Sequence, residues 1–132
     1  MKLRTGQTAP ELGLLKDQHG ISHEVADYRG KWVFLYFYPK DDSPGCTIEA
    51  CSIRDRWNEF KKYNCVVLGV SIDTSKSHEK FVKKFTLPFT LLADDKKELV
   101  QTYDVWGEKE FMGRKYMGTR RTSFLIDPEG NI

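Results

Sequence analysis

The sequence predicts an α/β fold, and three observations carry that reading. An unbroken apolar run lies at residues 32–38 and a second, buried-strand run at 65–72, an amphipathic stretch of helical period separates them, and turn residues punctuate the rest into short elements. A continuous apolar run marks a strand covered on both faces rather than one. Strand, helix and strand over this length imply a right-handed crossover and parallel pairing. The 132 residues suffice to enclose a core, and no repeat or linker divides them, so one domain over 1–132 is expected.

Taken in order, Leu12 to Leu15, a turn at 17–20 ending on Gly20, and residues 21–25 read as a small N-terminal hairpin. The run at 32–38 is a central strand that Pro39 stops. After a polar loop, Ala50, Ile53, Trp57 and Phe60 recur at spacings of three and four, the pattern of one helix with one buried stripe. Ser43 as N-cap and Pro44 as first helical residue mark its start. Beyond the second strand and Asp73, another helix carries Phe81, Val82 and Phe85. Pro88 ends it before a short strand at 89–92. Asp95 with Glu98 predicts a capping box for a third helix that buries Leu99, Val100 and Tyr103. A glycine-rich stretch from Gly107 to Gly118 then leads to a strand at 123–126 and a turn at 128–131. Since such a turn normally leads to another strand and only Ile132 follows, the expectation is a sheet cut off in mid-hairpin, a C-terminally incomplete domain.

Composition narrows the function classes. The chain is 39% hydrophobic and 30% charged, with a net charge of +2, far from the strongly basic balance of a dedicated nucleic-acid binder. The doubled lysines at 61–62, 83–84 and 96–97 read as solvated helix faces. No apolar run approaches the ~18 residues of a membrane helix, and residues 1–6 lead into no hydrophobic signal segment. A soluble cytoplasmic chain, monomeric and free of membrane or nucleic acid, is expected. Three cysteines do not make a disulfide scaffold.

Cysteine chemistry is the better lead. With Ser43 and Pro44 opening the helix, Cys46 falls in the first turn, where backbone N–H groups lack partners and the dipole is positive. Helix N-termini and nearby cations favour the thiolate, which is the nucleophile, so Cys46 is a candidate reactive centre. The alternative is a buried core cysteine, one turn before Ala50 on the same stripe. Cys51 lies five residues on, which in a helix means about 7.5 Å of rise and roughly 140° of rotation, hence a Cα separation of about 8.6 Å. A disulfide needs less than about 7 Å, so any bridge between Cys46 and Cys51 requires the first turns to unwind. Metal binding fits poorly, because the spacing lacks a second Cys or His pair and His19, His23 and His78 are scattered. A dithiol of the thioredoxin type would need two intervening residues, not four. Cys65, flanked by Val66 and Val67 in a buried strand, reads as an inert packed residue.

Residues 36–40 (Tyr-Phe-Tyr-Pro-Lys), followed by Ser43-Pro44-Gly45-Cys46-Thr47, resemble the active-site segment of the peroxiredoxins. The branch most similar is the bacterioferritin comigratory protein or PrxQ group, which carries a second cysteine five positions on, here Cys51, and then Arg54-Asp55. Similarity continues through 69–73, 103–109 and 123–127. The resemblance implies a thioredoxin-like mixed sheet flanked by helices, with an N-terminal hairpin and no cofactor. It implies reduction of hydrogen peroxide and organic hydroperoxides by Cys46, which becomes a sulfenic acid, is resolved by Cys51 as a disulfide and is recycled by thioredoxin or a similar dithiol. It further implies that Pro39, Ser43 and Arg121 surround the peroxidatic sulfur, and that Glu49 holds the arginine. Serine stands at 43 where the family carries threonine; it keeps the hydroxyl that can donate to a peroxide oxygen or the thiolate. The family pattern, Gly118 to Arg121 to Ser123, selects Arg121 over Arg120, which reads as solvent-facing; neighbouring strand residues point to opposite faces. Members continue past Gly130 with a strand and a helix. A competing reading is a redox-responsive interaction domain, in which oxidation of the same pair melts the helix start without turnover.

Overall fold

A computed structural model describes residues 3–132; Met1 and Lys2, which open the segment read as carrying no signal, lie outside the described residues. The N-terminal hairpin is formed by β1 (Leu15–Lys16) and β2 (Ser22–His23), shorter than the spacing predicted, with Gly20 in its turn at φ +78°. A 3-10 turn at Val25–Tyr28 leads to β3 (Trp32–Phe37). Helices α1 (Pro44–Asp55) and α2 (Trp57–Lys62) follow, then β4 (Cys65–Ser71), α3 (Ser75–Phe85), β5 (Thr90–Ala93) and α4 (Leu99–Thr102). The chain closes with β6 (Trp106–Phe111), β7 (Arg114–Thr119) and β8 (Thr122–Ile126).

The main sheet is six-stranded in the order β2-β1-β5-β4-β3-β8. Strands β3, β4 and β5 run parallel, as the strand, helix, strand pattern requires, whereas β8 joins β3 and β1 joins β5 antiparallel, so the sheet is mixed. Both faces of β3 are covered, which explains its unbroken apolar run. Val33, Leu35 and Phe37 pack with Leu68, Val70, Leu99, Val100, Tyr103 and Ile126 on one face. Tyr36 and Tyr38, alternating with them, pack with Cys46, Ala50, Ile53, Phe81 and Leu91 on the other, so the helix that carries Cys46 is seated directly on the sheet.

Three local expectations are corrected. The single helix spanning the stripe from Ala50 to Phe60 breaks at Arg56, where φ −106° and ψ 16° end α1 and start α2. The break hardly disturbs the stripe's spacing, since Trp57 and Phe60 still face the core as half-buried neighbours of Phe34 and Phe89. The capping carboxylate of α4 belongs to Asp94, not Asp95: buried Asp94 accepts from the backbone N–H groups of Glu98, Leu99 and Val100 at 3.1, 3.1 and 2.9 Å. The glycine-rich stretch is an ordered two-stranded hairpin of β6 and β7. Its turn residues Met112 and Gly113 both have positive φ, as a two-residue hairpin turn requires. The turn at 128–131 brings the chain beside the N-terminal segment: Ile132 N–H donates to Gln7 O and Ala9 N–H to Gly130 O.

Candidate active site

Cys46 occupies the first turn of α1 because Pro44 fixes the helical φ at N1 and Ser43, at φ −75° and ψ 154°, turns the chain into the helix. Ser43 serves as N-cap by backbone only. Its Oγ donates to Lys40 O at 2.8 Å and makes no hydrogen bond to Cys46 among the described residues. Pro39 stands partly buried at the exit of β3, in the loop that delivers the helix.

Cys46 is 2% exposed, and Nη2 of Arg121 donates to its Sγ at 3.2 Å. Nη1 of the same guanidinium donates to Glu49 Oε1 at 2.5 Å. One planar group thus bridges the sulfur and a carboxylate one turn along α1, a fork that lysine does not offer. Arg121 sits in the two-residue link between β7 and β8 rather than within a strand. Arg120 is exposed as expected, yet its guanidinium lies over Gly107, where any side chain would meet it. Burial works against the Arg121 charge, but the hydrogen bond to Cys46 and the negative charges at Cys46 and Glu49 outweigh it and raise the guanidinium above its ordinary range. Gly45 is small for a reason, since a Cβ there would lie 3.3 Å from Nη2 of Arg121.

Cys51 is half-buried on the same unbroken helix, and all three cysteines are free, as α-helical separation of Cys46 and Cys51 demands. Cys65 is half-buried too, less enclosed than its strand context predicts; burial raises its thiol pKa, which disfavours the reactive thiolate. Among the described residues, no three His, Cys, Asp or Glu side chains cluster as metal ligands do, and no helix is long and apolar enough to cross a membrane.

Sequence reasoning missed two features here. Tyr36 lies in the cluster around Cys46 with its hydroxyl buried and unpartnered among the described residues; burial first, then the charges of Glu49, Cys46 and Asp41, hold it well above its usual range, so it stays neutral. Asp41, in the loop before α1, accepts hydrogen bonds from Tyr38 and Ser77 and shares one with His78 Nδ1 at 2.7 Å. Its partners on α3 are 36 and 37 residues away, a pairing that only the crossover of the chain creates.

A buried cysteine at the head of a helix, seated on a mixed sheet and bridged to a carboxylate by arginine, defines a cysteine-dependent oxidoreductase site on a thioredoxin-like fold. Residues 5–132 match the model of the AhpC/TSA family. The chain is 48% identical over 132 residues to "Peroxiredoxin Bcp" of Bacillus subtilis, covering all of this chain and 83% of that protein. It is 45% identical over 130 residues to the Escherichia coli K12 protein of the same name, covering 98% and 83%. Among solved structures, a cysteine-to-serine mutant of Xylella fastidiosa PrxQ superposes with a TM-score of 0.91 at 33% identity, covering 100% and 84% of the two chains. A cysteine-to-serine mutant of Xanthomonas campestris peroxiredoxin Q gives 0.86 at 34%, covering 97% and 85%. The chain belongs to the AhpC/TSA family, in its Bcp/PrxQ peroxiredoxin branch, and is a thiol peroxidase.

Proposed function

We propose that Cys46 is the peroxidatic residue of a two-cysteine cycle in which Cys51 resolves. The observation that carries this is the guanidinium of Arg121 on the sulfur of a buried, helix-head cysteine. A fixed positive donor stabilises negative charge on sulfur and orients the peroxide for in-line attack. The thiolate attacks one peroxide oxygen, the O–O bond breaks, and the departing oxygen takes a proton to leave as water or an alcohol. Cys46 is then a sulfenic acid. The Cys51 thiol attacks that sulfur, an S–S bond forms, and the hydroxyl leaves as water with the Cys51 proton. Because an intact α1 keeps the two cysteines apart, this second step requires the turns at 44–51 to open. A dithiol donor, thioredoxin or one like it, returns both cysteines to thiols by two exchange steps. Glu49 holds Arg121 in place; Pro39 and Ser43 shape the loop that presents Cys46. Hydrogen peroxide and organic hydroperoxides are the substrates, and the cytoplasm, whose thiol pools reduce such disulfides, is the compartment.

The test is stopped-flow mixing of reduced protein with hydrogen peroxide, following the fluorescence of Trp57, which packs on Phe60 and Phe89 beside α1. Wild type should give two phases, oxidation and resolution. Cys46→Ser should give none, and Cys51→Ser one phase ending in a single sulfenic acid per chain. Undiminished peroxide consumption by Cys46→Ser would overturn the assignment.

A further inference from the structure

The protons around His78 can be counted from geometry. His78 is fully buried, and its Nε2 lies 2.9 Å from Leu92 O. A backbone carbonyl only accepts, so Nε2 carries a proton. Its Nδ1 lies 2.7 Å from Oδ2 of Asp41, itself buried, and a contact that short between these atoms needs a second proton between them. The pair therefore holds one proton beyond a neutral ring and a carboxylate anion, and has no net charge. Asp41 is saturated otherwise: Oδ1 accepts from Tyr38 Oη at 2.5 Å and Oδ2 from Ser77 Oγ at 2.8 Å. Its backbone N–H donates to Oδ2 of Asp73 at 2.8 Å, and Ser71 Oγ braces that carboxylate at 2.6 Å.

Buried charged pairs seldom add stability over a well-packed apolar substitute, so their position carries the meaning. This one ties residues 38–41 to α3, β4 and β5. The next residue, Asp42, has a side chain held by an exposed ion pair to Lys84, and shortly after it α1 begins its first turn around Cys46. The chain thus passes from clamped to weakly held just before the turns that must open. We propose that Asp41 and His78 are positioning residues: a proton-sharing buried clamp that fixes the entry to α1, setting Cys46 under Arg121 for attack while leaving 44–51 able to unwind. This rests on Cys46 being the reacting sulfur.

The experiment uses the full reduced chain and two readouts. Nitrogen-15 histidine NMR should show both ring N–H protons on His78, and one in Asp41→Asn. In stopped-flow with hydrogen peroxide, Asp41→Asn should slow oxidation of Cys46 about tenfold or more, the scale on which small misplacements act. Tyr38→Phe, which deletes one hydrogen bond and keeps the ring, should slow it about threefold. In both variants the resolving phase should be unchanged or faster. A purely structural pair would lower the melting temperature and leave the ratio of the two phases alone. One ring proton on wild-type His78, or wild-type oxidation by folded Asp41→Asn, overturns the proposal. Should Asp41→Asn not fold, wild-type phases in Tyr38→Phe do the same. If instead the wild-type chain oxidises elsewhere than Cys46, the reading of the site fails while the two His78 protons remain.

Discussion

Replacing Arg121 by glutamine isolates what its charge does. The change removes a hydrogen bond from a charged donor to the Cys46 sulfur, an interaction worth about 1.5–3 kcal/mol where it is dry. The Arg121 side chain is 40% exposed, so solvent screens it and the lower end applies, roughly 1.5 kcal/mol or about tenfold in rate. A second loss follows because Glu49, 24% exposed in its side chain, keeps its charge three residues from the sulfur with its partner gone. Like charges at that range cost on the order of 1 kcal/mol. The combined expectation is a drop of about 30-fold to 100-fold in the second-order constant for hydrogen peroxide, read by stopped-flow at neutral pH. Arg121→Lys keeps the charge but not the fork, and should fall about threefold to tenfold. Adding Glu49→Gln to Arg121→Gln should recover several-fold, since it removes the stranded anion. Arg121→Gln within twofold of wild type, or a double variant slower than the single, would refute the electrostatic reasoning.

Other outcomes follow from the packing and hydrogen bonding. Gly69→Ala places a Cβ 2.8 Å from Leu91 Cδ2 and 2.9 Å from the Tyr36 ring, so overpacking should cost about 1–3 kcal/mol in urea unfolding. Asp94→Ala leaves three helix-head N–H groups without their acceptor and should cost about 2–4 kcal/mol by the same measurement. Burial pushes the Asp17 carboxyl up, but hydrogen bonds from His23 and from the backbone of Ile21 and His19 prevail and hold it below the usual carboxylate range. Its contribution to stability is therefore complete above the ordinary value near 4 and lost as pH falls through the lowered one. Asp17→Asn should flatten that acid limb; an unchanged slope below about pH 4 would contradict it.

The parts of the fold that were legible share a cause. The runs in β3 and β4 are apolar almost throughout because the sheet carries α1 and α3 on one face and α4, Val105 and the N-terminal segment on the other. Cys46 was legible because proline, a cap position and a helical stripe all point to one turn. The hairpin of β6 and β7 was hidden because its outer positions, Phe111, Met112, Tyr116 and Met117, are exposed, so no burial pattern marks it. The break at Arg56 left the stripe's spacing nearly intact and so gave no signal. Asp41 was unreadable for a different reason: its carboxylate takes its meaning from His78 and Ser77, which a crossover of the chain brings to it.

In the proposed cycle one reduced helix holds two cysteines apart, and oxidation joins them by opening it. Peptide mapping by mass spectrometry after one equivalent of hydrogen peroxide tests this most directly. The expected product is one Cys46–Cys51 cross-link per chain with Cys65 still alkylatable. A link through Cys65, or Cys46 left as sulfenic acid with Cys51 free, would contradict it.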